Sequence, residues 1–150
     1  MSELRDLYQE VILDHGRRPR NHRKMEDANF SAEGHNPLCG DQLTLYLKLE
    51  DGHVADLSFE GSGCAISTAS ASMLTGILIG KSEAEARELL KAFVDMATAP
   101  TDEEPDDSKL GKLAVFAGVR EFPMRVKCAT LCWHTLESAL NDSNEAASTE

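Results

Sequence analysis

The sequence predicts an α+β domain in which a small antiparallel three-stranded sheet carries helices packed on one face. Two observations support this prediction. Apolar residues alternate with polar ones between residues 43 and 59, which is typical of half-buried strands. Before and after that segment they recur at helical spacing. We predict a single domain over residues 1–140, because 150 residues is a usual length for one domain, and a disordered tail over residues 141–150.

The first predicted element is an amphipathic helix that begins near Ser2, which can cap it, and ends near Gly16. Its apolar residues follow the i, i+3, i+4 rule and are Leu4, Leu7, Tyr8, Val11 and Ile12. The alternating segments 43–49 and 55–59 flank a turn at Glu50-Asp51-Gly52, which predicts an antiparallel hairpin with one buried face. A third strand is predicted near residues 29–32, at the edge of the sheet.

Helices are predicted after the strands. After Gly63 the apolar period changes from two to 3.6, which predicts a second helix that ends near Gly80. Ser82 and Glu85 form a capping-box pair ahead of a third helix. Residues 98–108 are acidic and contain proline, which predicts a loop.

The last part of the predicted domain contains two more helices. A short one carries Leu110, Leu113 and Phe116. Pro123 is expected to interrupt the chain, because proline disrupts the interior of a helix, and the final helix is expected from about Cys128.

Charge and composition argue against several classes of function. The formal net charge of -11 is unfavourable for binding nucleic acid, which requires clustered lysine and arginine. The single basic run, from Arg17 to Lys24, has two interpretations, a docking patch for a protein or a solvated loop. There is no apolar signal-peptide region and no stretch near the roughly 18 apolar residues of a membrane span, so we expect a cytoplasmic protein with no membrane association. Cysteines stay reduced there, so the four cysteines indicate metal binding or catalysis.

Three of the cysteines lie at the predicted edges of secondary-structure elements. Cys39 precedes a strand, whereas Cys64 and Cys128 lie at predicted helix starts, where free N–H groups and the helix dipole favour a thiolate. Asp41 follows Cys39 by two residues, so both side chains can point to the same side of an extended segment. Three thiolates and one carboxylate make the four ligands that zinc prefers. The alternative interpretation is three buried, unreactive cysteines.

Three segments around these residues resemble the motifs of the SufU branch of the IscU/NifU-like family. They are Asn36-Pro37-Leu38-Cys39-Gly40-Asp41, Phe59-Glu60-Gly61-Ser62-Gly63-Cys64-Ala65-Ile66-Ser67 and Arg125-Val126-Lys127-Cys128-Ala129-Thr130-Leu131. The N-terminal segment from Leu7 to His15 and the tripeptide Pro19-Arg20-Asn21 resemble the same branch. The similarity therefore covers nearly all of the chain except its tail.

The resemblance implies an IscU/SufU-like fold that binds zinc through Cys39, Asp41, Cys64 and Cys128. It also implies a zinc-dependent sulfurtransferase of iron-sulfur cluster biogenesis. Such a protein accepts persulfide sulfur from a SufS-type cysteine desulfurase, here on Cys39, and relays it to downstream iron-sulfur assembly proteins. The alternative within the same family is a scaffold protein on which a 2Fe-2S cluster is assembled and transferred. A purely structural zinc module is a third interpretation.

Three departures from the IscU branch favour SufU. IscU-like scaffolds have a histidine directly before the cysteine that corresponds to Cys128, whereas this chain has Lys127. Residues 121–127 differ from the Leu-Pro-Pro-Val-Lys segment that a chaperone pair recognises in those scaffolds. Residues 98–118 look like the insertion that distinguishes SufU proteins. The roles of Lys127 and Arg125 stay open between stabilising a nearby thiolate or persulfide and simple solvation.

The remaining candidate residues have simpler interpretations. Cys132 shares a helical stripe with Ala129 and Leu136, so we expect it to pack in the core, although a spare thiol near the metal is the alternative. No histidine ligand is required. Solvation is expected to account for the histidines, which are His15, His22, His35, His53 and His134.

Overall fold

The computed structural model of the chain describes residues 2–37, 40–100, 110–141 and 147–148. Its elements in chain order are helix α1 (Ser2–Arg17), strands β1 (Phe30–Asn36), β2 (Asp41–Glu50) and β3 (His53–Ser62), helices α2 (Ala65–Leu78) and α3 (Glu83–Thr98), a 3₁₀-helix (Gly111–Glu121), helix α4 (Pro123–Leu140) and strand β4 (Ala147–Ser148). The sheet order is β3-β2-β1-β4, in which β1, β2 and β3 are antiparallel and β4 runs parallel to β1. The predicted α+β architecture is confirmed.

Strand β2 shows how the sheet buries one face. Its residues Leu43, Leu45 and Leu47 are buried, and the side chains between them are exposed or partly exposed, as a period of two requires. Leu45 pairs with Ala32 of β1 and with Phe59 of β3, both of which are buried. The buried face is therefore continuous across three strands.

The hairpin between β2 and β3 turns where the sequence predicted. Asp51 has φ 53° and Gly52 has φ 75°. Positive φ at both central residues is the geometry whose twist matches that of the two flanking strands. Strand β1 differs from its prediction, because it extends to Asn36 and lies between β2 and β4 instead of at the edge. Its sequence has few apolar residues, so alternation could not mark its length.

Helix α4 covers the buried face of the sheet. It approaches β1 so closely that a Cβ atom at Gly34 would collide with Thr135 Oγ1. On its other side, Trp133 stacks on Phe93 of α3 with ring centroids 4.6 Å apart. Phe93 in turn meets Phe116 of the 3₁₀-helix edge to face, at 5.6 Å. The core therefore lies between the sheet and these helices.

Helix α4 also corrects two predictions. Pro123 does not interrupt the chain but occupies the first turn of α4, and the final helix begins there and not at Cys128. Proline suits a helix start, because its missing N–H has no partner to lose there and its φ is already helical. The short helix predicted around Leu113 and Phe116 is present as a 3₁₀-helix.

The domain boundary near residue 140 stays a prediction. Of the predicted tail, the structure describes Asn141 and the two residues of β4, which pair with Gly34 and His35 of β1. Helix α3 ends at Thr98, and residues 101–108 of the predicted acidic loop lie outside the described residues. Among the described helices, none combines the length and the apolar character needed to cross a membrane.

Candidate metal centre

One carboxylate and two thiols from three different elements meet at one end of the sheet. Asp41 is the first residue of β2, Cys64 precedes α2 as its N-cap, and Cys128 lies in α4. One ligand atom of each residue lies within 4.8 Å of the other two. Such a group could hold a metal ion. Three of the four predicted ligands are therefore brought together, whereas Cys39 lies outside the described residues and its ligand role stays a prediction.

Asp41 is held by the segment that carries Cys64. Its side chain is fully buried, and its Oδ1 atom accepts a hydrogen bond from the Cys64 backbone N–H at 2.8 Å. Its Oδ2 atom lies 4.0 Å from Cys64 Sγ. A buried carboxylate needs hydrogen bonds or a cation to offset the loss of water. One carboxylate oxygen thus has a backbone donor, and the other faces a potential metal ligand.

The glycines before Cys64 make this close approach possible. A Cβ atom at Gly63 would lie only 2.6 Å from Asp41 Oδ1, so any side chain there would displace the carboxylate. Gly61 has φ 147°, and a Cβ atom there would overlap the carbonyl oxygen of Gln42. The end of β3 and the segment that follows it therefore require glycine, at Gly61 and Gly63 respectively.

Cys64 lies at a helix start, as the sequence predicted. Its backbone is extended, with φ -70° and ψ 167°, and its Sγ atom accepts a hydrogen bond from the Ser67 backbone N–H at 3.4 Å. The residue is exposed. The helix start therefore places the exposed Cys64 sulfur within reach of a backbone N–H donor.

Cys128 differs from Cys64 in its surroundings. It is buried, with 3% of its surface exposed, and it lies in the second turn of α4 because that helix begins at Pro123. Because the effect of a helix dipole falls off within the first turn, the predicted location of Cys128 at a helix start is wrong, and the dipole argument does not extend to it.

Cys132 lies in the core, as predicted. It is fully buried, and its Sγ atom lies 3.3 Å from Ser70 Oγ. Burial raises the pKa of the Cys132 thiol to about 12. The Ser70 hydroxyl also accepts a hydrogen bond from Trp133 Nε1 at 3.2 Å and donates one to the Ala129 carbonyl oxygen at 2.6 Å. Cys132 is therefore a protonated packing residue.

Comparison with known proteins assigns the family. Residues 7–129 match the family model described as NifU-like N terminal domain. The chain belongs to the NifU-like N-terminal domain family. That match includes Asp41, Cys64 and Cys128, and the predicted resemblance to IscU, SufU and NifU proteins is confirmed.

Relatives of this NifU-like domain carry two different functional names. The iron-sulfur cluster assembly scaffold protein IscU of Streptococcus pyogenes serotype M1 is 40% identical over 146 residues, with 97% of this chain and 90% of that protein covered. The zinc-dependent sulfurtransferase SufU of Bacillus subtilis (strain 168) is 43% identical over 140 residues, with 93% and 92% covered. The crystal structure of FiSufU from Fervidobacterium islandicum AW-1 matches with TM-score 0.81 at 41% identity, covering 87% of this chain and 94% of that chain.

The start of α4 in this NifU-like domain exposes apolar side chains before Cys128. Phe122 is 45% exposed and Met124 is 44% exposed. The Arg125 guanidinium lies over the Phe122 ring, 4.3 Å from its centroid, which is a cation–π contact. Lys127, next to Cys128, is partly buried.

Several residues around the centre could not be assigned from the sequence. His15 was expected to be solvated, but it is partly buried, and its Nδ1 atom lies 2.7 Å from Ser72 Oγ. The roles of Gly63 and Ser70 were also missed. For the contacts of Ser70 and Ser72, the sequence feature that could have indicated them is the high content of serine and alanine in α2, which permits close packing of helices. Within the described ranges, the ligand group contains no histidine.

Proposed function

We propose that this chain is a zinc-dependent sulfurtransferase of iron-sulfur cluster biogenesis. It accepts persulfide sulfur from a SufS-type cysteine desulfurase and passes it to downstream iron-sulfur assembly proteins. The observation that carries the proposal is the convergence of Asp41, Cys64 and Cys128 within 4.8 Å. The 43% identity to a protein named zinc-dependent sulfurtransferase SufU supports the same assignment.

The chemistry of the three donors fits zinc. Two thiols and a carboxylate are ligands that zinc binds readily. In a tetrahedral site with zinc–sulfur bonds of about 2.3 Å, sulfur ligands lie about 3.8 Å apart, a spacing that the observed grouping within 4.8 Å allows. Asp41 is fully buried and, among the described residues, has no lysine or arginine as a salt-bridge partner. A bound cation would compensate its charge. With Cys39 as the proposed fourth ligand, the set is complete.

The residues of the chain have separate tasks in this proposal. When bound, zinc keeps its cysteine ligands deprotonated and links the segments that carry them. Asp41 is fixed by the Cys64 backbone N–H, and Cys64 is fixed by the Ser67 N–H, so both serve as anchors. Cys128 is buried in α4 and is a third anchor. Cys39 is therefore the proposed sulfur acceptor.

The proposed transfer is a thiol–disulfide type exchange. The Cys39 thiolate attacks the terminal sulfur of the cysteine persulfide on the desulfurase. The sulfur–sulfur bond of the donor breaks, and the donor cysteine leaves as a thiolate. Cys39 then carries the persulfide, and a second exchange of the same kind passes the sulfur on. No external oxidant or reductant is consumed in the first step.

A scaffold function is the second candidate, because the relative in Streptococcus pyogenes is named an iron-sulfur cluster assembly scaffold protein. The same thiolates could bind the iron of a 2Fe-2S cluster. Lys127 weighs against this candidate. It directly precedes Cys128, and IscU-like scaffolds carry a histidine at the corresponding position.

Metal analysis with a turnover assay tests the proposed function. We expect aerobically purified protein to be colourless, to contain one zinc per chain, and to accelerate cysteine turnover by a SufS-type desulfurase only in the zinc-loaded form. A brown, iron-containing protein that does not accelerate the desulfurase would support the scaffold function instead. Protein stripped of zinc and reloaded serves as the control for damage during metal removal.

A further inference from the structure

The basic run from Arg17 to Lys24 is tethered to the domain on two sides. It contains five of the 15 lysines and arginines of the chain, at Arg17, Arg18, Arg20, Arg23 and Lys24. A solvated loop would leave such a segment without fixed contacts. The described contacts instead hold its backbone in place, so the charges are presented by a preformed surface.

Buried hydroxyls of α2 hold the first side of the run. The Arg20 backbone N–H donates to Ser72 Oγ at 2.8 Å, and Asn21 Nδ2 donates to Thr75 Oγ1 at 3.1 Å. Ser72 and Thr75 are both fully buried. Ser72 Oγ also lies 2.7 Å from Nδ1 of His15, so a single hydroxyl joins α1, the basic run and α2.

Strand β3 holds the second side. The Phe59 backbone N–H donates to the Asn21 carbonyl oxygen at 3.1 Å, and Asn21 itself has the left-handed φ of 57°. The His22 ring lies edge-on against Phe59, with centroids 4.9 Å apart. The Arg23 guanidinium pairs with Asp56 at 2.7 Å. These contacts fix the path of the run between α2 and β3.

The charges of the run are only partly neutralised. Arg20 pairs with Asp14 at 2.7 Å, and Arg23 pairs with Asp56. Within the part of the chain that the structure describes, neither Arg17 nor Arg18 forms a salt bridge, and both are exposed. The charge of Arg18 helps to lower the pKa of the Asp14 carboxyl, whose direct partner is Arg20. Their positive charge contrasts with the formal net charge of -11 of the whole chain.

The two arginines without a salt bridge follow a segment that packs beside the candidate metal centre. A Cβ atom at Gly16, the residue before Arg17, would lie 3.3 Å from Ala65 Cβ. Ala65 follows Cys64 directly in the sequence. The end of α1 therefore packs against the start of α2, and Arg17 and Arg18 continue the chain from that contact.

We propose that Arg17 and Arg18 form a docking surface for the cysteine desulfurase. The matching surface on the desulfurase is rich in carboxylates and lies beside the opening through which its persulfide is reached. This inference rests on the proposed function, which names the desulfurase as partner. A positive surface on an otherwise acidic protein attracts an acidic partner and orients it during the encounter. Because Arg17 and Arg18 directly follow the contact between Gly16 and Ala65, the neighbour of Cys64, the orientation that they select brings the persulfide to the cysteines.

The test is calorimetric titration of the zinc-loaded chain into a SufS-type desulfurase. Arg17→Glu with Arg18→Glu should raise Kd by about tenfold or more at about 50 mM salt and should reduce the salt dependence of binding. The control, Lys81→Glu with Lys91→Glu, makes the same change in net charge just before the N-cap of α3 and in the middle of that helix. It should bind like the unmodified chain. Arg17→Lys with Arg18→Lys keeps the charge and should retain most of the affinity.

Each outcome has a definite meaning. If the glutamate variant keeps its zinc and binds with the Kd and salt dependence of the unmodified chain, the docking surface is wrong while the proposed function stands. If the control weakens binding as much as the glutamate variant, net charge and not this surface is responsible, and the proposal is wrong. If the unmodified chain does not bind the desulfurase at all, the proposed function fails together with the docking surface.

Discussion

Asp41 Oδ1 and the Cys64 backbone N–H form a 2.8 Å hydrogen bond that joins the first residue of β2 to the N-cap of α2. This bond aims a buried carboxylate at an exposed thiol across 23 residues of chain. Gly63 leaves the space in which the carboxylate lies. The geometry of the candidate metal centre therefore depends on a glycine that binds nothing itself.

Gly63→Ala should reduce zinc affinity, because the added methyl group would lie 2.6 Å from Asp41 Oδ1 and displace it. Gly76→Ala is a matched control within α2, since a Cβ atom there meets nothing within 4 Å. It should stabilise the fold by about 0.5–1 kcal/mol, because alanine favours helix more than glycine does. Zinc titration with a competing chelator measures both variants. Equal zinc affinity in both would contradict the role of Gly63.

Zinc removal should lower the melting temperature, because a site that joins β2, α2 and α4 converts metal-binding free energy into folding free energy. Thermal unfolding followed by circular dichroism, with zinc loss verified by metal analysis, checks this expectation. Readdition of zinc should restore the original curve. An unchanged melting curve after verified zinc loss would show that the site is not linked to folding.

Cys132→Ala should leave the zinc content unchanged, because Cys132 is buried in the core beside Ser70. We expect a loss of unfolding free energy on the order of 1 kcal/mol for the removed sulfur. Cys128→Ala is the contrasting variant and should lose zinc, since its thiol belongs to the group proposed to bind the ion. Loss of zinc from Cys132→Ala with the fold retained would mean that the ligand set is wrong.

His15 should make stability depend on pH. Burial lowers the pKa of His15 below its ordinary value of 6.5, and the charges of Arg20 and Lys112 lower it further, whereas Asp14 raises it. The unfolded chain therefore binds the proton more readily than the folded chain, so stability is present above pH 6.5 and is lost as the pH falls through the folded pKa.

The variant His15→Asn removes this titration and offers a short polar group to Ser72. Between about pH 7.5 and about pH 5.5, the melting temperature of the zinc-loaded wild-type chain should fall more than that of the variant. Comparison of the two slopes cancels effects shared by both proteins, including weaker zinc binding in acid. If the melting temperatures of the two proteins fell equally with decreasing pH, His15 would be excluded as a source of the pH dependence of stability.

The sequence predicted the parts of the fold in which local pattern and burial agree. The alternating leucines of β2 and the capping box of Ser82 and Glu85 were both confirmed. Strand β1 was predicted too short, because it packs against α4 through Gly34, and a glycine gives no hydrophobic signal. The start of α4 was placed too late in the sequence because Pro123 was interpreted as a helix breaker. Proline is favourable in the first turn of a helix, which is where Pro123 lies.

The candidate metal centre was likewise predicted only in part: its ligands were predicted, and the packing contacts around them were not. Residue type and spacing made Asp41, Cys64 and Cys128 candidate ligands, and the resemblance to the SufU branch completed the prediction that they come together. The contact between Gly63 and Asp41, and the shared hydroxyl of Ser72, arise from packing between segments distant in sequence. No local pattern marks such contacts.

Location of the transferred sulfur tests the central claim most directly. The zinc-loaded chain is mixed with a SufS-type desulfurase for one turnover, free thiols are blocked, and peptides are analysed by mass spectrometry. We predict one added sulfur on Cys39, and we predict that Cys39→Ser binds the desulfurase but accepts no sulfur. Persulfide found mainly on Cys64 or Cys128, or full turnover by Cys39→Ser, would contradict the account.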